Sequence, residues 1–402
     1  MDRELNVMML TWEFPPKIVG GISPHVYHLS KNLAKNGVKV IVVTCDFPGA
    51  AQHEIVDEVE IFRIDSYENP APDFPTWVYL MNMNMQMEAA GLVKSLDGKV
   101  DIFHVHDWLA ATAGIGLKHV FRKPLLATFH STQVGRNTGQ QRHERMIHET
   151  EHWLTYEAWK VVCCSNYMVS HARWAFGLPE DKLVMIPNGV DVQEYTEHNP
   201  GLSYFRRRFA LPEEKIVLFV GRLVYEKGVQ VLIKALPRVL EKVNVKVVIV
   251  GEGYMKEKLS NLVEGMGLAH KVFFTGFVDD KTLRNLQMCA DVCIVPSLFE
   301  PFGIVALEAM AAQSPVVVSD TGGLSEIVEH DVTGVKVCPN NHESLAWGIT
   351  RVLLDEDYAN WLNNNAHQKV QEDYSWDRIS QQTKNVYKAI WKEYSKSFWK
   401  WD

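Results

Sequence analysis

Short runs of consecutive apolar, mostly β-branched residues, separated by stretches of helical periodicity, restrict the fold of this chain more than any other feature. In the first half the runs are Leu5–Thr11, Val38–Thr44, Val59–Ile64, Asp101–Val105, Leu125–Phe129, Val161–Cys164 and Leu183–Ile186. In the second they are Ile216–Val220, Val245–Val250, Val272–Phe274, Val292–Pro296, Pro315–Ser319 and Val335–Cys338. A strand with one wet face alternates apolar and polar residues, whereas a strand covered on both faces is apolar throughout. Helices between such strands supply the cover, so the pattern predicts an α/β chain with parallel sheets.

At 402 residues the chain exceeds one ordinary core, and two domains are expected. The strand rhythm pauses after Pro187-Asn188-Gly189-Val190-Asp191 and resumes at Ile216. The polar stretch between holds Asn199-Pro200-Gly201 and the basic run Arg206-Arg207-Arg208, read as a solvated helix face. The boundary is therefore placed there, giving residues 1–200, 201–375 and a tail from 376 to 402. After Tyr374-Ser375-Trp376-Asp377 a helical pattern runs to about Trp399, with Ser375 or Asp377 able to cap it. Tyr387, Ile390, Trp391, Tyr394 and Phe398 share one face and need a surface to pack on.

A net charge of −8 argues against nucleic acid as the main partner. Cys45, Cys163, Cys164, Cys289, Cys293 and Cys338 form no CxxC pair, and no secretory signal is evident, so reduced cysteines and a cytoplasmic location are expected. No apolar run approaches the roughly 18 residues of a membrane span.

Two carboxylates, Glu300 and Glu308, flank the turn Pro301-Phe302-Gly303 that follows a predicted strand. The first falls in a loop at the strand's carboxyl edge and the second about two turns into the next helix. The amides of Phe302, Gly303 and Ile304 lie near that helix's N-terminus, a natural anion site. This is a layout for holding a sugar nucleotide. Gly221-Arg222-Leu223-Val224-Tyr225-Glu226-Lys227-Gly228 occupies another strand-to-helix loop, where Arg222 and Lys227 could neutralise a leaving diphosphate without metal. Near the N-terminus, Gly20-Gly21 lets backbone approach a diphosphate just before a helix.

His104 and His106 end a strand and share one face. They suit metal ligation, a sugar contact at one histidine, or a hydrogen-bonded structural pair. His148-Glu149-Thr150-Glu151-His152 matches the zinc-protease pattern, and a zinc hydrolase using His148, Glu149 and His152 is the reading of another class. Gly251-Glu252-Gly253 follows a strand but lacks the third glycine of the dinucleotide fingerprint, Lys256 standing in its place.

Taken together these motifs resemble the GT-B retaining glycosyltransferases, in particular the bacterial and archaeal glycogen (starch) synthase group and its close relatives. The resemblance runs over nearly the whole chain. It rests on Gly20-Gly21, His106-Asp107-Trp108, Thr128-Phe129-His130-Ser131, Pro187-Asn188-Gly189-Val190-Asp191, Gly221-Arg222 with Lys227, Glu300 with Glu308, Thr321-Gly322-Gly323, and Tyr374-Ser375-Trp376. It implies two Rossmann-like domains, an acceptor-side one and a donor-side one, with a C-terminal helix that returns to the N-terminal domain.

It further implies that Arg222 and Lys227 hold the donor diphosphate, Glu308 the ribose and Glu300 the transferred sugar. His106 would hydrogen-bond that sugar, with Asp107 and His130 on the acceptor side. Backbone around Phe302, Gly303, Ile304 and Thr321-Gly322-Gly323 would assist the sugar and phosphates, and Gly20-Gly21 would close over them. The expected enzyme is a metal-independent retaining hexosyltransferase needing no cofactor. It would move glucose from ADP- or UDP-glucose to the 4-position of an α-glucan or maltosyl acceptor. Another acceptor of the same chemistry (a sugar phosphate, a trehalose- or sucrose-type sugar, a lipid) stays open. One departure is Lys17, which stands one position further from Gly20 than in the Lys-x-Gly-Gly loop of many glycogen synthases.

Overall fold

The computed structural model describes residues 4–66, 70–136, 141–195 and 201–400. Asn199, Pro200 and Trp401 lie outside the described residues. The chain divides into one unit of residues 1–189 with 376–402 and a second of residues 190–375. The division falls at 189/190, ahead of the 200/201 boundary read from composition. The reason is local: Val190 bridges Ser375, and its amide donates to the Tyr374 carbonyl (2.9 Å), so the entering and leaving segments of the second unit are tied together.

Each apolar run named above is a strand. The first unit holds β1 (Leu5–Leu10), β2 (Val38–Cys45), β3 (His53–Val56), β4 (Val59–Ile64), β5 (Ile102–His106), β6 (Leu125–Phe129), β7 (Lys160–Cys163) and β8 (Leu183–Met185). Their order is β3-β4-β2-β1-β5-β6-β7-β8. All pairs are parallel except β3–β4. β3 escapes the sequence reading because it is half-polar and sits at the edge. Its turn, Asp57-Glu58, takes positive φ at both residues (49° and 65°), as a two-residue hairpin needs, without the Asn-Gly or Asp-Gly signature.

The second unit holds β9 (Lys215–Val220), β10 (Val245–Val250), β11 (Val272–Gly276), β12 (Val292–Val295), β13 (Val316–Ser319) and β14 (Val335–Val337), in the parallel order β11-β10-β9-β12-β13-β14. Its main core packs Val217, Phe219, Val247 and Ile249 of the sheet against Leu232, Leu236 and Ile349 of the covering helices. The strand order reverses direction at β9 and β12, so the loops after these two strands diverge and leave room at the carboxyl edge.

The tail helix spans Trp376–Tyr394 and packs against the helix Ile22–Lys35 in the first unit. Tyr387, Ile390 and Tyr394 are buried, as their spacing predicts. Phe398 is a correction: the helix ends at Tyr394, the i+4 geometry stops with it, and Phe398 is fully exposed. Arg206 is another, because it is not a solvated cation. Its guanidinium donates to Asp291 (2.9 Å) and to the Glu214 carbonyl (2.7 Å), pinning the helix Leu202–Arg206 to the base of the sheet. Among the described residues no helix is long and apolar enough to cross a membrane.

Candidate functional site

In the second unit, three loops meet at the carboxyl edge of the sheet. The loop after β12 carries Glu300, and the Lys227 ammonium, from the loop after β9, donates to Glu300 Oε2 at 2.8 Å. Ser297 Oγ donates to the same oxygen at 2.9 Å. Two donors on one carboxylate oxygen fix its direction, and Glu300 is only 8% exposed. The third loop, Thr321-Gly322-Gly323, supports the backbone, since the Gly323 amide donates to the Glu300 carbonyl (2.9 Å). Gly322 has φ +54°, and a Cβ there would stand 2.0 Å from that carbonyl oxygen, so only glycine admits the approach.

Gly303, at φ +117°, precedes the helix Ile304–Ala311. This helix carries Glu308. Gln287, which is fully buried, donates to Glu308 Oε2 (3.0 Å) and accepts from the Tyr195 hydroxyl (3.1 Å). Part of Glu308 reaches the surface, but protein surrounds the carboxyl, and burial pushes it up to about 7 against the opposing Gln287 bond. Gln287, Ser297 and Tyr195 carry no motif signal; the helix that presents Gln287 is an ordinary amphipathic one. Arg222 projects into solvent from the loop after β9, its side chain 54% exposed and 4.0 Å from Glu226.

Gly251 and Gly253 serve packing. A Cβ on either would stand 2.0 Å from the Gly221 carbonyl or 2.3 Å from the Leu223 carbonyl, so they let the loops after β9 and β10 lie together.

In the first unit, the Gly20-Gly21 loop is already holding an anion of its own. Glu13 Oε2 accepts from the amides of Val19 (2.5 Å) and Gly20 (3.1 Å), and Oε1 from that of Ser23 (3.3 Å). Burial raises the Glu13 carboxyl, and these three amides and Lys17 pull it back. The Lys17 ammonium lies over the rings of Trp12 and Trp77, 5.6 and 5.4 Å from their centroids.

β5 does continue through His106, so His104 and His106 share a face, with ring centroids 4.3 Å apart. Their surroundings differ. His104 is held through both nitrogens, at 2.7 Å from the Tyr387 hydroxyl and 2.7 Å from Thr128 Oγ1. His106 Nδ1 lies 3.2 Å from His130 Nε2, while its Nε2 has no partner among the described residues. Asp107 sits at φ +58°, a strained conformation for a non-glycine residue. Its Oδ1 accepts from the His130 amide (2.7 Å), and burial pushes its carboxyl up to about 6.

The zinc-protease pattern is not assembled. It lies on the helix Gln141–Glu157, where His148 stacks on Phe176 (5.3 Å) and Glu149 pairs outward with Arg145 (2.8 Å). Among the described residues His148 and His152 join no group of metal-ligand spacing, and both nitrogens of His104 are committed.

Residues 204–369 match the model of glycosyl transferases group 1, and residues 19–194 that of glycosyltransferase family 4. The chain is 42% identical to an uncharacterized glycosyltransferase of Methanocaldococcus jannaschii, over 96% of this chain and 98% of that protein. It is 34% identical to a glycogen synthase of Mycobacterium tuberculosis, over 96% of this chain and 95% of that one. Among solved structures, sucrose-phosphate synthase from Thermosynechococcus elongatus superposes with a TM-score of 0.85 at 24% identity, covering 97% of this chain and all of that one.

Proposed function

We propose that this chain, which belongs to the group 1 glycosyltransferases and has their GT-B fold, transfers glucose with retention from ADP- or UDP-glucose to the 4-position of an α-glucan or maltosyl acceptor. The observation that carries the reading is the carboxylate Glu300, aimed by Lys227 and Ser297 at the carboxyl edge of the second sheet. The likeness to a glycogen synthase at 34% identity supports the acceptor class.

In this reading Arg222 and Lys227 bind the donor diphosphate, and backbone amides around Gly303 and Gly323 assist it, the Gly323 amide itself being held by the Glu300 carbonyl. Glu308, held by Gln287, accepts from the ribose hydroxyls. The bond from the sugar's C1 to the diphosphate breaks, and the departing oxygens gain charge that the two cations offset. Glu300 faces the positive charge that develops on the sugar ring. The acceptor hydroxyl attacks on the face the diphosphate leaves, and its proton passes to a diphosphate oxygen, so no second carboxylate nucleophile is required. His106 hydrogen-bonds the sugar, with His130 and Asp107 toward the acceptor. Gly20-Gly21 closes over the phosphates through the amides that Glu13 leaves available. No metal ion enters the reaction.

The test is a donor screen with ADP- and UDP-glucose against maltooligosaccharides, with and without EDTA, read by product length. Elongation with retained configuration in EDTA is expected. Transfer to a sugar phosphate or lipid alone would replace the acceptor assignment, and activity lost to EDTA and restored by Mg²⁺ would overturn the role of the two cations.

A further inference from the structure

Three histidines from three elements of the first unit converge on one point. His25 comes from the helix Ile22–Lys35, His106 from the end of β5 and His130 from the residue after β6. One nitrogen of each lies within 4.8 Å of the others. The His25 ring meets that of His130 at 4.6 Å and that of His106 at 5.5 Å, centroid to centroid. A structural histidine cluster would satisfy its nitrogens, as His104 does. Among the described residues this one leaves Nε2 of His106 without a partner, and His25, with Asn188 as its polar neighbour beside the rings, makes no well-aligned hydrogen bond at either nitrogen; the two side chains are only 0% and 6% exposed. Asp107 Oδ2, next in the chain to His106, also has no partner among the described residues. Buried polar atoms without partners cost about 1–3 kcal/mol each, so such a concentration of them points to an absent ligand.

We propose that His25, His106 and His130 bind a divalent transition ion, with Zn²⁺ as the natural occupant, and that the ion inhibits the enzyme.

The chemistry of the donor set agrees. A metal takes the neutral imidazole, and burial holds all three rings below the usual histidine range, His130 down to about 3. Nitrogens on a tetrahedral Zn²⁺ at about 2.0–2.1 Å stand roughly 3.3 Å from one another. The 3.2 Å between His106 Nδ1 and His130 Nε2 already matches that spacing. In the free protein those two nitrogens share one proton. An ion between them displaces it, and the ring that carried it takes it on its other nitrogen; for His106 that is the orphaned Nε2. Rotation of His25 brings in the third ligand. Trp376 packs edge-on against His25, at 5.5 Å between ring centroids. Three protein nitrogens leave a fourth position for water, and His130 keeps an edge at the surface by which an ion can enter.

Binding stands on this geometry alone. Inhibition rests on the reading above that His106 is a sugar contact, since an ion on its ring withdraws it from the sugar. Full-length protein stripped with EDTA is titrated with Co²⁺ and Zn²⁺. One equivalent is expected, with the intense visible bands of tetrahedral Co²⁺, which Zn²⁺ displaces. Losing even an outer partner of a metal ligand costs about 10–100-fold in affinity, so His25→Gln is expected to lose at least that much. Zn²⁺ should inhibit the native enzyme reversibly and spare His25→Gln, whose activity without metal is unchanged. Should that variant not fold, His130→Gln read by the Co²⁺ spectrum takes its place. Absence of tetrahedral bands, or binding that survives both substitutions, overturns the site. Binding without inhibition keeps the site and overturns the role of His106.

Discussion

Gln287→Leu is expected to shift the pH at which donor recognition is lost, although Gln287 is assigned no contact with the donor. Gln287 is fully buried and donates to Glu308 Oε2 at 3.0 Å. An ionised carboxylate only accepts hydrogen bonds, which suits two ribose hydroxyls, whereas the protonated form gives up part of that capacity. Burial has already raised Glu308 to about 7, and the Gln287 bond is the largest influence holding it down. A hydrogen bond to a charged group contributes about 1.5–3 kcal/mol, which at 1.36 kcal/mol per unit is about 1–2 pK units. Glu308 is partly exposed, so the lower end, about 1 unit, is the expectation. The sign follows from the bond favouring the charged form: without it the carboxyl keeps its proton to higher pH. At pH 7 the ionised fraction falls from about one half to about one tenth, a loss of about fivefold in kcat/KM for the donor. Most of it should appear in KM, because the ribose is remote from the reacting bond and is bound alike in ground and transition states. The assay is kcat/KM for the donor from pH 6 to 9.5 for both proteins, with melting curves at each pH. The two profiles should converge at the alkaline end. A fivefold loss that persists at pH 9.5 would refute the argument, showing that the substitution disturbs packing around Tyr195 rather than the charge on Glu308.

Arg222→Ala and Lys227→Ala are each expected to cost about 10²–10³ in kcat, the usual loss when one electrostatic contact to a developing charge is removed, measured in EDTA-treated enzyme. Glu13→Ala takes the acceptor from the Val19, Gly20 and Ser23 amides and should destabilise the first unit by about 2 kcal/mol or more, read by chemical denaturation. Tyr387→Phe keeps the ring but removes its bond to the buried His104, so about 1–3 kcal/mol of stability should go with little change in KM. Truncation after Ser375 removes the buried Tyr387, Ile390 and Tyr394 together and is expected to leave the first unit unfolded, seen as loss of its melting transition.

The sequence alone determined what depends on neighbours along the chain. Apolar runs without alternation required strands covered on both faces, and helical stretches between them required parallel sheets. The eight-residue spacing put Glu300 in a loop and Glu308 on the following helix, and the two-residue spacing put His104 and His106 on one face of β5. The edge strand β3 was not legible because an exposed half-polar strand has no such signature. What only the tertiary structure decided are the contacts between residues far apart in sequence. Ser297 and Lys227 aim Glu300, while Gln287, itself bonded by Tyr195, holds down the Glu308 carboxyl that burial raises. Glu13 fills the amides of the glycine loop, and His25 meets His106 and His130. Nor could local spacing distinguish His104 from His106: they are equivalent along the strand, and only Tyr387 and Thr128, brought in by other elements, commit one ring to the fold and leave the other's Nε2 open. Periodicity fixes the direction of a side chain from its own backbone, but its partners, and with them its charge and its chemistry, come from segments that only folding brings within reach.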